Sequence, residues 1–150
     1  MKKIIITSLI FLSFGILLGG KINNSKNSIS NVFNEGEIYY FLQEGVYTSK
    51  EIMEENTKNI SIKAIEEKND KYYVYLGITK DEQIAKKIKN IYEKDGHQIY
   101  IKEVKLDNEE FSSNITQFDL LINSTEKEEE ILTITEVILA NFEEIIQKQS

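Results

Sequence analysis

Gly45-Val46-Tyr47-Thr48-Ser49-Lys50-Glu51-Ile52 aligns without a gap against Gly77-Ile78-Thr79-Lys80-Asp81-Glu82-Gln83-Ile84. Each glycine follows a strand-like aromatic run, Tyr39-Tyr40-Phe41-Leu42-Gln43 in one copy and Tyr72-Tyr73-Val74-Tyr75-Leu76 in the other. Each is followed four residues later by a helix-capping residue, Ser49 or Asp81. The pattern predicts one strand-glycine-cap-helix unit used twice, with each glycine punctuating its strand.

Extending outward from the two copies gives the rest of the middle of the chain. Ile38 to Gln43 is expected as a strand, and Ser49 caps a short helix to about Asn59. A second strand is expected from Ile60 to Glu67, and Asn69-Asp70 is hairpin-turn chemistry leading into a third strand at Lys71 to Ile78. Ile84, Ile88, Ile91 and Tyr92 make an apolar stripe on a helix from Asp81 to about Lys94, stopped by Asp95-Gly96. Gln98 to Val104 is the fourth strand. The order β-α-β-β-α-β, with right-handed crossovers, predicts an α+β domain. It has a ferredoxin-like, four-stranded antiparallel sheet, two helices on one face, and strands one and three central.

Period-2 alternation then sorts the central side chains. Tyr40, Leu42, Tyr72, Val74 and Leu76 suit the helix-covered face. Tyr39, Phe41 and Gln43, with Lys71, Tyr73 and Tyr75, fall on the other. Four rings beside an amide and an ammonium suit a sugar chain: ring faces stack on the C–H side of a pyranose and the amide bonds its hydroxyl or acetamido groups. The alternative is that the C-terminal segment covers these rings as core.

Composition narrows the chemistry. The 150 residues contain no Cys, Pro or Trp, one His and a net charge of -7. A disulfide framework, a thiolate metal site and a Cys nucleophile are excluded, and a His-rich metal centre with them. The acidic balance opposes a nucleic-acid partner, which needs clustered cations. His97 stands alone, no Ser or Thr has a visible base partner, and the carboxylate pairs Glu66-Glu67 and Glu109-Glu110 lie in Lys-rich hairpin or loop regions. The chain therefore reads as non-enzymatic, with no cofactor and no metal.

At the N-terminus Lys2-Lys3 precede an uncharged run from Ile4 to Gly20, about 26 Å long as a helix. Residues 1–21 read as a single-pass transmembrane helix with its N-terminus cytoplasmic, or else as a cleaved signal peptide. Either places the rest outside the cytoplasm. Residues 22–37 form an Asn- and Ser-rich linker.

Phe41-Leu42-Gln43-Glu44-Gly45-Val46-Tyr47 resembles the opening signature of SPOR domains, with Gln two before Gly and an aromatic two after it. Tyr72-Tyr73-Val74-Tyr75-Leu76-Gly77 resembles that family's second signature, and the resemblance covers about residues 38–104. It implies a small extracytoplasmic module at the cell membrane that binds septal peptidoglycan, preferring glycan strands stripped of stem peptides, in cell division or sporulation. The family holds its glycan on the sheet face. Gln43 and Val46 match positions of the first signature. Tyr73 stands where many members carry Arg, Lys71 where an aromatic is common, and Thr79 where an aromatic or apolar residue follows the second Gly. The expected glycan-binding set is Tyr39, Phe41, Gln43, Val46, Lys71, Tyr73 and Tyr75. The alternative is a degenerate SPOR-fold module that binds protein and not glycan.

Residues 105–150 lie outside the resemblance and read as a helical C-terminal extension. Phe111, Ile115, Phe118 and Ile122 have helical spacing. A second helix is expected from about 126 to 147, capped by Thr125, with Ile131, Leu132, Ile138, Leu139, Phe142, Ile145 and Ile146 making a wide apolar face. That face docks on its own domain, or on a partner helix of another cell-envelope protein or a second copy.

Overall fold

The computed structural model describes residues 36–149. The anchor or signal segment and most of the linker lie outside the described residues. Among the described residues no helix is long and apolar enough to cross a membrane. The elements are β1 (Glu37–Tyr47), α1 (Lys50–Thr57), β2 (Ala64–Lys68), β3 (Lys71–Thr79), α2 (Glu82–Lys94), β4 (Tyr100–Leu106), α3 (Glu109–Asn123) and α4 (Glu128–Gln149). The architecture is α+β, a four-stranded antiparallel sheet with four helices. The strand order is β2-β3-β1-β4, so strands one and three are central as expected. The described residues fall in one compact unit, and the C-terminal helices complete the same core as the sheet.

Both copies of the repeat start a helix in the same way. The Ser49 side chain accepts the Ile52 amide at 3.4 Å. The Asp81 carboxylate accepts those of Gln83 at 2.7 Å and Ile84 at 3.4 Å. Each thereby satisfies amides that a helix start leaves without partners. The glycines do not end their strands, however: β1 runs through Gly45 to Tyr47, and β3 through Gly77 to Thr79. Leu42 pairs with Gly77 and Gln43 with Tyr75, so Leu76 has no partner across the pair; Gln43 then Gly45 pair with Tyr75 then Val74, so Glu44 has none. These two bulges compensate, which lets the strands continue past each glycine in register.

The glycines serve packing. A Cβ on Gly77 would lie 3.3 Å from both Ile88 Cγ2 and Leu42 Cδ1, so its absence lets α2 settle closely on the sheet. A Cβ on Gly45 would meet the Tyr47 ring at 2.9 Å. The ring folds back over the glycine, and its hydroxyl donates to Glu44 at 2.9 Å.

The second strand is shorter than expected and begins at Ala64. Residues 60–63 close the end of α1 instead: the Ile60 amide bonds the Thr57 carbonyl, and the Lys63 ammonium donates to the Thr57 and Ile60 carbonyls. The β2–β3 turn is as expected, with Asn69 at φ 53° and Asp70 at φ 58°, the left-handed pair of a tight hairpin. Gly96 takes φ 86° just after α2.

A valine at position 77 forces two methyls into the Leu42–Ile88 contact. Gly77→Val is expected to lower stability by about 1–3 kcal/mol, the usual range for overpacking, as measured by urea denaturation. An unchanged midpoint would show that α2 can move away at no cost.

Candidate functional site

The aromatic face of the sheet is covered. Tyr39 stacks on Phe111 of α3 with ring centroids 5.5 Å apart. Phe142 of α4 meets Phe41 edge-on at 5.3 Å and Tyr75 at 6.0 Å, and Phe41 meets Tyr75 at 5.0 Å. Phe111 also contacts Phe142 at 6.0 Å. These five rings form one cluster in which each side chain is at most 6 % exposed. Edge and offset contacts of this kind add about 0.5–1.5 kcal/mol per pair to the burial itself. The wide apolar face of α4 therefore docks on its own sheet, burying Ile131, Val137, Ile138, Leu139 and Phe142.

Polar contacts fix the same docking at both ends. Glu143 of α4 accepts the Ile65 amide of strand β2 at 3.1 Å. At the far end of β3, the Asp119 carboxylate of α3 accepts the Thr79 hydroxyl at 2.7 Å and the Lys80 amide at 3.0 Å. The Lys80 ammonium pairs with Glu37 at 2.5 Å, bonds the Ser112 hydroxyl and lies 5.7 Å from the centre of the Tyr39 ring. Thr79 and Lys80 thus tie the second copy of the repeat to α3, a use that the first copy, with Tyr47 and Thr48, does not have.

The expected glycan set divides accordingly. Tyr39, Phe41, Gln43 and Tyr75 are buried; Val46 and Lys71 are exposed and Tyr73 is half-buried. The open face expected for them is closed by α3 and α4, because an aromatic sheet face left bare would keep a large apolar area in water, at a cost of roughly 25 cal/mol for each Å². Gln43 sits opposite Tyr75 and Tyr100, and its Oε1 is buried without a hydrogen-bond partner among the described residues.

What remains open is a cleft of about 670 Å³ between α4 and the sheet. Its lining includes Phe41, Tyr73, Tyr75 and Lys102 from the sheet, and Phe142 and Ile145 from α4. Three of the seven expected residues therefore meet there, whereas Tyr39, Gln43, Val46 and Lys71 are outside its lining. The Tyr73 ring stacks 6.5 Å from Tyr75, and the Lys102 ammonium lies 5.9 Å from the Tyr73 ring centre. The Tyr75 hydroxyl donates to Glu66 at 3.1 Å; burial, then the Glu66 charge, pushes its pKa up. Lys102 and Glu66 were not in the expected set. Alternation along β4 puts Lys102 on this face opposite Phe41, and pairing across β2–β3 puts Glu66 opposite Tyr73. His97, the lone histidine, packs edge-on against Tyr92 at 6.2 Å, away from this cleft.

No family model, no curated protein and no solved structure matches the chain.

Two outcomes follow from the closed face. Phe142→Ala removes the ring common to Phe41, Tyr75 and Phe111 and is expected to cost about 3–5 kcal/mol, read as a lower denaturation midpoint with α4 amides exchanging faster. Asp119 supplies a pH signature. Desolvation raises its carboxyl above the usual 3.8, against the bonds from Thr79 and Lys80. A raised folded pKa means that its stabilising contribution is complete below 3.8 and is lost as pH rises through the folded value. Glu37, lowered from 4.5 chiefly by its bond to Lys80, acts in the opposite sense, its contribution fading as pH falls. The difference in stability between the parent and Asp119→Asn, followed by urea denaturation from pH 3.5 to about 7, should therefore shift against the parent as pH rises. A constant difference would show that Asp119 does not titrate differently on folding.

Proposed function

We propose that the chain is a non-catalytic, SPOR-like binding module, ferredoxin-like in its sheet and first two helices. It is tethered by residues 4–20 on the outer side of the cell membrane and engages peptidoglycan glycan in cell division or sporulation. The observation that carries this reading is the half-buried Tyr73 ring on the floor of the cleft, with Lys102 beside it. Tyrosine rings stack on the C–H side of a pyranose, and a cleft of about 670 Å³ is within the range of small-ligand sites. The ligand contact is a short stretch of sugar at the cleft, since a long strand laid across the whole sheet would compete with α3 and α4.

A second reading has its own support. The aromatic face is filled by Phe111 and Phe142, which is what a SPOR-fold module turned to protein binding would do with a face no longer needed for glycan. In that case contacts are made by the outward side of α3, where Leu120 is 66 % and Leu121 43 % exposed.

Retention of the full-length chain on amidase-treated sacculi separates the two. Glycan binding predicts retention that falls about tenfold in Tyr73→Ala, as expected for loss of roughly 1.4 kcal/mol of stacking, with the fold unchanged by circular dichroism. No retention of the parent, or equal retention of Tyr73→Ala, discards the glycan reading. Loss of a co-purifying envelope protein in Leu120→Lys, with no retention on sacculi, favours the second.

A further inference from the structure

The two edges of the sheet are treated differently. On β2, five residues long, the Ile65 amide is taken by the Glu143 carboxylate of α4 at 3.1 Å, so that edge is partly closed. β4, at the other edge, is seven residues long and has β1 as its neighbour in the sheet among the described residues. Tyr100, Lys102, Glu103 and Lys105 are exposed, and Val104 is half-buried. A strand in this position presents a row of backbone donors and acceptors to which another strand can add.

Charge is the usual guard of such an edge, lysine above all. Here the charges do not guard every register. Two copies of β4 related by a two-fold axis perpendicular to the sheet pair antiparallel, with side chains of one face opposite side chains of the same face. The axis then passes through the same residue of both strands. Axes at Lys102, Glu103 and Val104 each pair at least five of the seven strand residues, and an axis nearer either end pairs three or fewer. An axis at Lys102 sets that lysine against its own copy, and an axis at Glu103 opposes two glutamates. Like charges directly opposite are destabilising.

An axis at Val104 has neither clash. Valine meets valine, and Lys102 of each copy lies opposite Leu106 of the other. Glu103 of each copy faces Lys105 of the other, an opposite-charge pair that symmetry repeats. Both of these side chains are exposed. The charge sequence of β4 is therefore self-complementary in one long register and self-repelling in the two others.

We infer that β4 is a self-association edge: two copies of the chain join through it, antiparallel and with Val104 on the two-fold axis, into one eight-stranded sheet. The inference does not rest on the glycan reading.

Cross-linking of the full-length chain in detergent micelles tests the register. The chain has no cysteine, so an introduced one is its sole thiol. Val104→Cys brings two Cα atoms to about 4.5–5.5 Å, inside the range of a disulfide. Lys102→Cys leaves its two thiols four residues apart along the paired strands, about 13 Å and beyond that range. Under mild oxidation Val104→Cys is expected to give a linked dimer about tenfold faster than Lys102→Cys, or more. Charge exchange supplies the second readout. Glu103→Lys or Lys105→Glu alone sets like charges opposite and should weaken dimerisation about tenfold by sedimentation equilibrium, and the two together should restore it. Both positions are exposed, so the thermal melt of a monomer is expected to stay unchanged. A monomeric parent, equal or faster linking at position 102, single charge variants that dimerise like the parent, or a combined variant as weak as the singles each overturns the inference.

Discussion

The structure depends on the need to cover the second face of a four-stranded sheet. Helices α1 and α2 leave Tyr39, Phe41 and Tyr75 on the opposite side, and Phe142 of α4 supplies the ring that packs on two of them at once. Everything C-terminal of β4 serves this contact. Asn108 caps α3 by accepting the Phe111 amide at 2.8 Å, which positions Phe111 on Tyr39. The residues between α3 and α4 are held from the other side by Lys87, whose ammonium donates to the Thr125 carbonyl at 2.9 Å. A two-helix segment that looked like an appendage supplies nine of the 25 buried apolar residues among those described.

The duplicated unit shows how one sequence pattern can carry two duties. In the first copy the residue two after the glycine is Tyr47, whose ring lies back over Gly45. In the second it is Thr79, whose hydroxyl donates to Asp119 at 2.7 Å. The position at which the second copy differs from the first is the one that attaches α3. Ser49 and Asp81 cap their helices alike, because that task concerns only backbone amides within a few residues. The departure at Thr79 becomes intelligible only with α3 in place.

How far the sequence could be read follows the range of the interactions involved. Helix starts at Ser49 and Asp81, the Asn69-Asp70 turn and the stripe of Ile84, Ile88, Ile91 and Tyr92 were all legible, since each reflects neighbours within one or two turns. The bulges at Glu44 and Leu76 were not: the glycines look like strand ends, and only the partner strand shows that pairing resumes beyond them. The loop at residues 60–63 also misled, because its β-branched residues are claimed by the end of α1 through Lys63. For the site, alternation correctly placed Tyr39, Phe41, Tyr73 and Tyr75 on one face but said nothing about its occupant. Lys102 takes its place in the cleft because β4 lies beside β1, opposite Phe41.

The sequence by itself determined the order of elements, the caps, the turn, the central position of strands one and three, and the existence of an aromatic face needing a cover. Those follow from local propensity, periodicity and the handedness of crossovers. Only the tertiary structure decided that the cover is the chain's own α3 and α4, and that Tyr73 and Lys102 stay at the edge of it. Apolar surfaces specify that they be buried and not by what, so an aromatic face reads the same whether it meets a sugar or a phenylalanine. The choice is made by the reach and register of a helix more than sixty residues away, through Phe142 against Phe41 and Tyr75.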